Sequence, residues 1–253
     1  MNLPLASAAA RVHNGVHIRS RLSLMDEAVT FKYVFKLESG EVEEFEIDLD
    51  EALEFRRSPE QDLPDWAKLD NYKCPNCTLD SSTDPYCPAA LGISELLYHF
   101  VGLNSTDRAR VEVHMPARTY VKDTDLQDGL FSILGVMLPT SGCPALKFLR
   151  PMARFHLPFS TIHETEVRAV AFYILRQYFS EGPRKSFDEA LQELNARYEE
   201  LQTVNRCLIH RIRMMERTGD VNKNAVVILM VLSQMVSSEI KSQLKGFEYL
   251  FQD

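Results

Sequence analysis

The sequence predicts an α+β protein: a small antiparallel sheet with packed helices, a cysteine-rich loop, and a long antiparallel helical hairpin at the C-terminus. Near the N-terminus, apolar residues alternate with polar ones, which is typical of strands that bury one face. Two cysteines lie in a proline-rich segment without periodicity, and apolar residues beyond residue 160 recur at helical spacing. A chain of 253 residues that is 45% hydrophobic is long enough to bury a substantial core.

Strands are predicted at three places. From Thr30 the apolar side chains alternate with polar ones, and the turn Glu38–Glu41 leads into a second alternating segment that ends near Leu49. A third strand is predicted at Val111–Met115. Pro116 follows it directly and indicates a position near the sheet edge, because proline cannot donate a hydrogen bond to a neighbouring strand.

Helix starts after residue 86 are predicted by a proline in the first turn or by a capping side chain. They are Cys87-Pro88, Asp123 or Thr124, Cys143-Pro144, and the two capping boxes Thr161-x-x-Glu164 and Ser186-x-x-Glu189. The last of these opens a long helix whose apolar residues alternate at spacings of four and three, the pattern of a heptad seam. We expect this helix to be long and amphipathic.

A helical hairpin is predicted because the turn Thr218–Asp220 separates the long helix from a second periodic segment, Leu229–Phe251. Polar Asn205 interrupts the seam. If the seam packs against a second copy, Asn205 fixes its register; if it packs on its own protein, Asn205 is merely tolerated. The hairpin therefore predicts a protein partner or self-association through the C-terminal helices.

Three units are predicted along the chain: a disordered tail at residues 1–28, an α+β cysteine-containing domain at 29–182, and the helical hairpin at 183–253. The first 25 residues contain arginines and no acid before Asp26, as organelle transit peptides do. We favour a disordered tail, or upstream sequence that precedes a start at Met25. No secretory signal is recognised.

Composition argues against several classes of function. The net charge is −8, and the first hundred residues hold 18 acidic against 9 basic residues, so a nucleic-acid partner is unlikely. The longest apolar run, Ala225–Leu232, is far shorter than the roughly 20 residues of a membrane span. Neither a glycine-rich phosphate loop nor a Gly-x-Ser-x-Gly elbow occurs. A basic run on the long helix is interpreted as a solvated face; it consists of Arg206, Arg211, Arg213 and Arg217.

Five cysteines without a secretory signal argue for a reducing compartment, and therefore for the cytoplasm. Cys74 and Cys77 have the two-residue spacing that lets both sulfurs hold one metal ion. Cys87 and Cys143 each precede a proline at a helix start, where the helix dipole and free N–H groups favour a thiolate. The sequence predicts a metal site made of Cys74, Cys77, Cys87 and Cys143, with zinc as the metal and an iron–sulfur cluster as the alternative.

Other assignments stay open. His156 or His99 could replace Cys143 as the fourth ligand, the cysteines could be ordinary buried thiols or a redox dithiol, and Cys207 is expected to serve packing. A weaker hypothesis combines several side chains into an acid–base or anion site, although Glu164 is already explained as a capping acid. Its members are Arg150, Arg154, His156, His163 and Glu164.

Four blocks of the sequence resemble a family of bacterial proteins with a domain of unknown function. They are Cys74-Pro-Asn-Cys77, Cys87-Pro-Ala-Ala90, Lys122 to Leu130, and Ser141-Gly-Cys-Pro144 through Phe159. The resemblance implies a bacterial origin and identifies no catalytic residue. Because four cysteines leave no open coordination position, we expect a metal-stabilised, non-enzymatic interaction or regulatory protein. The alternative is an iron–sulfur or open-site metal enzyme or redox sensor.

Overall fold

The computed structural model describes residues 29–56, 63–180, 182, 185–214 and 244–252. It contains an antiparallel sheet of four strands in the order β2-β1-β3-β4. The strands are β1 (Val29–Leu37), β2 (Val42–Leu49), β3 (Arg108–Met115) and β4 (Arg118–Asp125). Helices pack on this sheet, so the α+β class is confirmed.

β1 and β2 form the predicted hairpin. Phe31 pairs with Ile47 and Tyr33 with Phe45, and all four side chains are buried. Gly40 occupies the turn with a φ of 89°, a left-handed conformation that glycine adopts at little cost. The strand alternation therefore places one face of the hairpin in the core and leaves the acidic face of β2 exposed.

β3 lies inside the sheet, so the prediction of an edge position was wrong. It pairs with β1 on one side and β4 on the other. Pro116 and Ala117 connect β3 to β4, so the proline occupies a turn and removes no hydrogen bond from the sheet. β4 was not predicted because most of its side chains are exposed and show no apolar alternation.

Four of the five predicted helix starts are confirmed, whereas the helix predicted to be capped by Asp123 or Thr124 has Asp125 as its N-cap. Both capping boxes are present, with Thr161 and Ser186 as N-caps, and Cys87 and Cys143 are N-caps as well. The α-helices are α1 (Pro88–His99), α2 (Leu126–Thr140), α3 (Arg150–Arg154), α4 (Ile162–Phe179) and α5 (Phe187–Arg213). Short 3₁₀ helices occupy Asp65–Ala67, Leu69–Asn71, Pro144–Leu149 and Glu248–Leu250.

No single helix in the described residues is long and apolar enough to cross a membrane. The pair Leu126–Thr140 and Pro144–Arg154 reaches that length and composition only together, across a bend of 113°. Most of α2 is buried in the core, as expected for a central helix on a sheet.

The apolar face of α5 belongs to the same hydrophobic core as the sheet and α2. Asn205 is fully buried within this face. In the described residues the heptad seam thus packs on its own protein. The return helix of the predicted hairpin falls mainly on residues 215–243, and the predicted tail on residues 1–28; both segments lie outside the described residues, and the domain division stays a prediction.

Candidate metal centre

Five cysteines line one cavity of about 170 Å³, which we call the thiol cavity. None of them forms a disulfide. They are Cys74, Cys77, Cys87, Cys143 and Cys207. The structure thus brings together the four cysteines that were predicted as ligands, and it adds Cys207, which sequence reasoning assigned to packing.

The loop before α1 carries Cys74 and Cys77. The N–H of Cys77 donates to the carbonyl oxygen of Cys74 at 3.0 Å, which closes a tight turn between the two residues. The side-chain amide of Asn76 donates to the carbonyl oxygen of Glu200 on α5 at 3.1 Å. These bonds hold the loop against α5, where Cys207 lies.

The helix starts at Cys87 and Cys143 adjoin each other. Gly142 has a φ of 92°, a conformation that few other residues tolerate, and it turns the chain from the end of α2 into Cys143. A Cβ at Gly142 would lie 3.7 Å from Cβ of Pro88, the first residue of α1. Two sets of free backbone N–H groups therefore flank the same cavity, which favours a negatively charged occupant.

Burial favours the protonated form of three of these thiols, Cys74, Cys87 and Cys143. It raises the pKa of Cys143 to about 11 and also raises the pKa of Cys87, while the N–H groups of each first helical turn partly oppose the shift. Burial is the main cause of the raised pKa of Cys74, followed by the neighbouring thiol of Cys207. A metal that binds here must displace protons, since the thiolate is the ligand form.

Arg211 is a buried cation that lines the thiol cavity, with 1% of its surface exposed. One terminal nitrogen donates to the carbonyl oxygens of Trp66 and Lys68, both at 2.8 Å. The other donates to the carbonyl oxygens of Leu69, at 3.3 Å, and Tyr72. Its Nε is buried without a hydrogen-bond partner in the part of the chain that the structure describes. A buried guanidinium held only by neutral acceptors favours a negative charge nearby.

The interpretation of the basic run as a solvated face was therefore wrong for Arg211. Arg206 and Arg213 are exposed as expected, and Arg217 lies outside the described residues. A signal was available in the sequence: Cys207 and Arg211 are four positions apart, which places them on the same face of a helix. The same face carries Leu208 and Ile212, which are buried. Their apolar side chains therefore indicate that Arg211 is buried with them.

The donor set and the buried positive charge fit a metal centre that binds thiolates, but the sulfurs do not form a closed shell. Among the described residues, no group of three or more His, Cys, Asp or Glu side chains is arranged to hold a metal ion. Tetrahedral zinc with Zn–S distances of about 2.3 Å requires sulfurs about 3.8 Å apart. A single ion held by all four predicted ligands would therefore require a closer arrangement of their side chains.

The histidines considered as alternative ligands do not line the thiol cavity. Nε2 of His99 lies 3.0 Å from the carboxylate of Glu43, and Nε2 of His156 lies 2.8 Å from the hydroxyl of Tyr33. Both imidazoles thus have other partners. Of the three residues considered for the fourth ligand position, Cys143 lines the thiol cavity.

The candidate acid–base group does not form one site either. Glu164 accepts the N–H of Thr161 at 2.7 Å, which completes the capping box, and Arg150 pairs with Glu54 at 2.8 Å. His163 is largely exposed. Only His156 and Arg154 of this group line the same cavity.

Comparison with known proteins identifies the family and no function. No curated protein and no solved structure matches the chain. A family model matches residues 29–252, a range that contains all five cysteines and all the described residues. The chain therefore belongs to the family DUF6901, a domain of unknown function.

Proposed function

We propose that this protein is a metal-stabilised interaction or regulatory protein of the bacterial cytoplasm, in which Cys74, Cys77, Cys87 and Cys143 hold a metal centre. One observation carries the proposal: cysteines that are distant in sequence converge on one cavity beside the buried cation Arg211. Four thiolates around a metal carry net negative charge, which Arg211 and the two helix starts offset.

Electrostatic interactions connect the sulfurs of the thiol cavity. Cys74 interacts with Cys207, Cys87 and Cys143, and Cys143 interacts with Cys87 and Cys77. Cys207 also forms a hydrogen bond with Cys74, and the sequence pattern of a cysteine pair and two helix starts does not include it. We assign Cys207 as a neighbour that positions Cys74, and not as a ligand.

The role proposed for the metal is structural. Residues 72–87 contain neither helix nor strand, and a metal bond from Cys74 and Cys77 would join this loop to the starts of two helices. Metal bonds order loops that apolar burial alone cannot. A shell of four cysteines leaves no open position for a substrate, which is why we favour a binding or regulatory role over catalysis.

Two occupants remain, and they differ in size. Zinc is the simpler one, because four thiolates complete its tetrahedral shell. The second candidate is an iron–sulfur cluster, which is also held by four cysteine thiolates. A cluster would make the protein a redox sensor or enzyme.

A protein partner or a second copy is proposed to bind through the C-terminal helices. The apolar face of α5 is already buried in the core, so this contact would use the sequence beyond Met214, including the apolar run Ala225–Leu232. Size-exclusion chromatography with light scattering tests for a second copy: a dimer supports self-association, whereas a monomer leaves a different protein as the partner.

Cysteine variants test the proposed ligand set. Wild type, Cys74→Ser, Cys143→Ser and Cys207→Ser are purified without oxygen and without a metal-chelating tag, and bound metal and thermal stability are measured. We expect Cys74→Ser and Cys143→Ser to lose most of the metal and to unfold at lower temperature, because each removes one ligand. Cys207→Ser is the matched control, since Cys207 is buried and lines the same cavity.

Unchanged metal content in Cys143→Ser would overturn the four-cysteine assignment. Loss of metal in Cys207→Ser would show that the fifth thiol is a ligand. The metal content of each variant is compared with that of the wild type prepared in the same way.

A further inference from the structure

Two cavities adjoin at His156, and neither shares a lining residue with the thiol cavity. The first, the apolar cavity, has a volume of about 110 Å³ and is lined largely by aliphatic and aromatic side chains of α2, α5 and the segment after α3. The second, the cationic cavity, has a volume of about 420 Å³ and lies beside the β3–β4 turn. Both cavities are lined by His156, Leu157 and Arg168, so they lie next to each other.

The cationic cavity has a charge opposite to that of the whole chain. Among the described residues, Arg118, Arg154 and Arg168 line it and no Asp or Glu does, although the chain carries a net charge of −8. Within the described residues, the ion pairs formed by arginines involve Arg108, Arg110, Arg150 and Arg197 and none of these three. Arg168 is attracted by the carboxylate of Glu164, which does not line the cavity. The excess of positive charge around the cavity favours an anion.

Arg168 is held at the boundary between the two cavities. One terminal nitrogen donates to the carbonyl oxygens of Phe155, at 2.7 Å, and Met152, at 3.2 Å. These bonds fix the guanidinium without neutralising its charge. An anion in the cationic cavity would therefore meet a positioned cation next to an apolar space.

The polar end of the apolar cavity is formed by His156 and Ser132. Nε2 of His156 lies 2.8 Å from the hydroxyl of Tyr33 and 3.2 Å from that of Ser132. His156 thus places a polar ring, held by two hydroxyl groups, between the two cavities.

We propose that the adjoining cavities bind a small amphiphilic carboxylate, with the carboxylate at Arg118, Arg154 and Arg168 and the tail in the apolar cavity. A dry cavity of about 150 Å³ accepts the six carbons of benzene, so this smaller space suits a tail of about four to five carbons. The site is independent of the proposed metal centre.

Binding of hexanoate to the full chain, measured by titration calorimetry, tests the proposal, with acetate as the ligand that lacks the tail. We expect one hexanoate per chain and at least tenfold weaker binding of acetate, because each buried CH₂ contributes favourably. Arg154→Gln should weaken hexanoate binding about tenfold, the effect of losing one hydrogen bond to a charged group. Arg206→Gln, an exposed arginine of α5, is the control and should bind as the wild type does.

A second variant separates loss of binding from loss of folding. Gly135 lines the apolar cavity, and a Cβ there would lie 3.6 Å from Cε1 of His156, an ordinary contact. Gly135→Ala should therefore narrow the tail site in a folded protein and weaken hexanoate more than acetate.

Three results would overturn the proposal. Equal binding of acetate and hexanoate would remove the tail site, and unchanged binding in Arg154→Gln would remove the anion site. Asp26 and Glu27 precede the cavity-lining residue Val29 in the sequence. If hexanoate binds only to the variant with both Asp26→Asn and Glu27→Gln, the arginines bind the chain's own carboxylates and not a ligand.

Discussion

Replacement of Arg211 by methionine tests whether this buried guanidinium organises the loop beside the thiol cavity. The change removes a charged donor from four carbonyl oxygens, those of Trp66, Lys68, Leu69 and Tyr72. A hydrogen bond to a charged group contributes about 1.5 to 3 kcal/mol, and the cost of burying the guanidinium offsets part of it. We therefore take about 1 to 1.5 kcal/mol net for each bond, which sums to about 4 to 6 kcal/mol. Burial of the methionine side chain returns about 1 to 2 kcal/mol. We expect a loss of about 4 kcal/mol in the free energy of unfolding, a large part of the 5 to 15 kcal/mol typical of a domain.

Urea denaturation followed by tryptophan fluorescence measures this loss, because Trp66 is the only tryptophan and its carbonyl oxygen accepts from Arg211. Arg206→Met on the exposed face of α5 is the control and should change stability by less than about 0.5 kcal/mol. Arg211→Lys should give an intermediate loss, since one ammonium group cannot span four carbonyls. A loss below about 1 kcal/mol in Arg211→Met would refute the reasoning.

Other positions give smaller and equally definite effects. Gly135→Ala should raise the free energy of unfolding by about 0.5 to 1 kcal/mol in thermal unfolding, because it gains helix propensity without a clash. Gly129→Ala on the same helix should lower it by about 1 to 3 kcal/mol, because the added Cβ would overlap the ring of Phe35. Ser186→Ala removes the N-cap of α5 and should cost about 1 kcal/mol. Burial lowers the pKa of His156 to about 3, so the unfolded chain binds a proton there that the folded chain does not, and stability falls as the pH drops from about 6.5 towards 3. We expect His156 to account for about 2 kcal/mol of the loss between pH 7 and pH 5, and His156→Asn to remove that part of the pH dependence. An unchanged pH dependence in this variant would contradict the buried, neutral imidazole.

Features set by neighbouring residues were predictable from the sequence. The capping boxes at Thr161 and Ser186 act within one helical turn, so the side chains that fix the helix start are adjacent in the chain. The β1–β2 hairpin is similarly local, because alternation and a glycine turn define it. The same logic placed Cys87 and Cys143 at helix starts.

Features set by distant contacts were not predictable in the same way. β4 consists largely of exposed polar residues, and only its pairing with β3 makes it a strand. Pro116 led to the wrong prediction that β3 lies at the sheet edge, because a proline in a turn and a proline at a sheet edge look alike in sequence. Arg211 is buried because carbonyls from a loop more than 130 positions earlier surround it, which no local pattern records.

Metal analysis of the wild-type protein tests the central claim most directly. Protein purified without oxygen and without a metal-chelating tag is analysed for metals and inorganic sulfide, and its visible absorption spectrum is recorded. The account predicts one metal centre per chain: either about one zinc and no colour, or iron with sulfide and visible absorption. Protein that is folded, reduced and free of metal would contradict it.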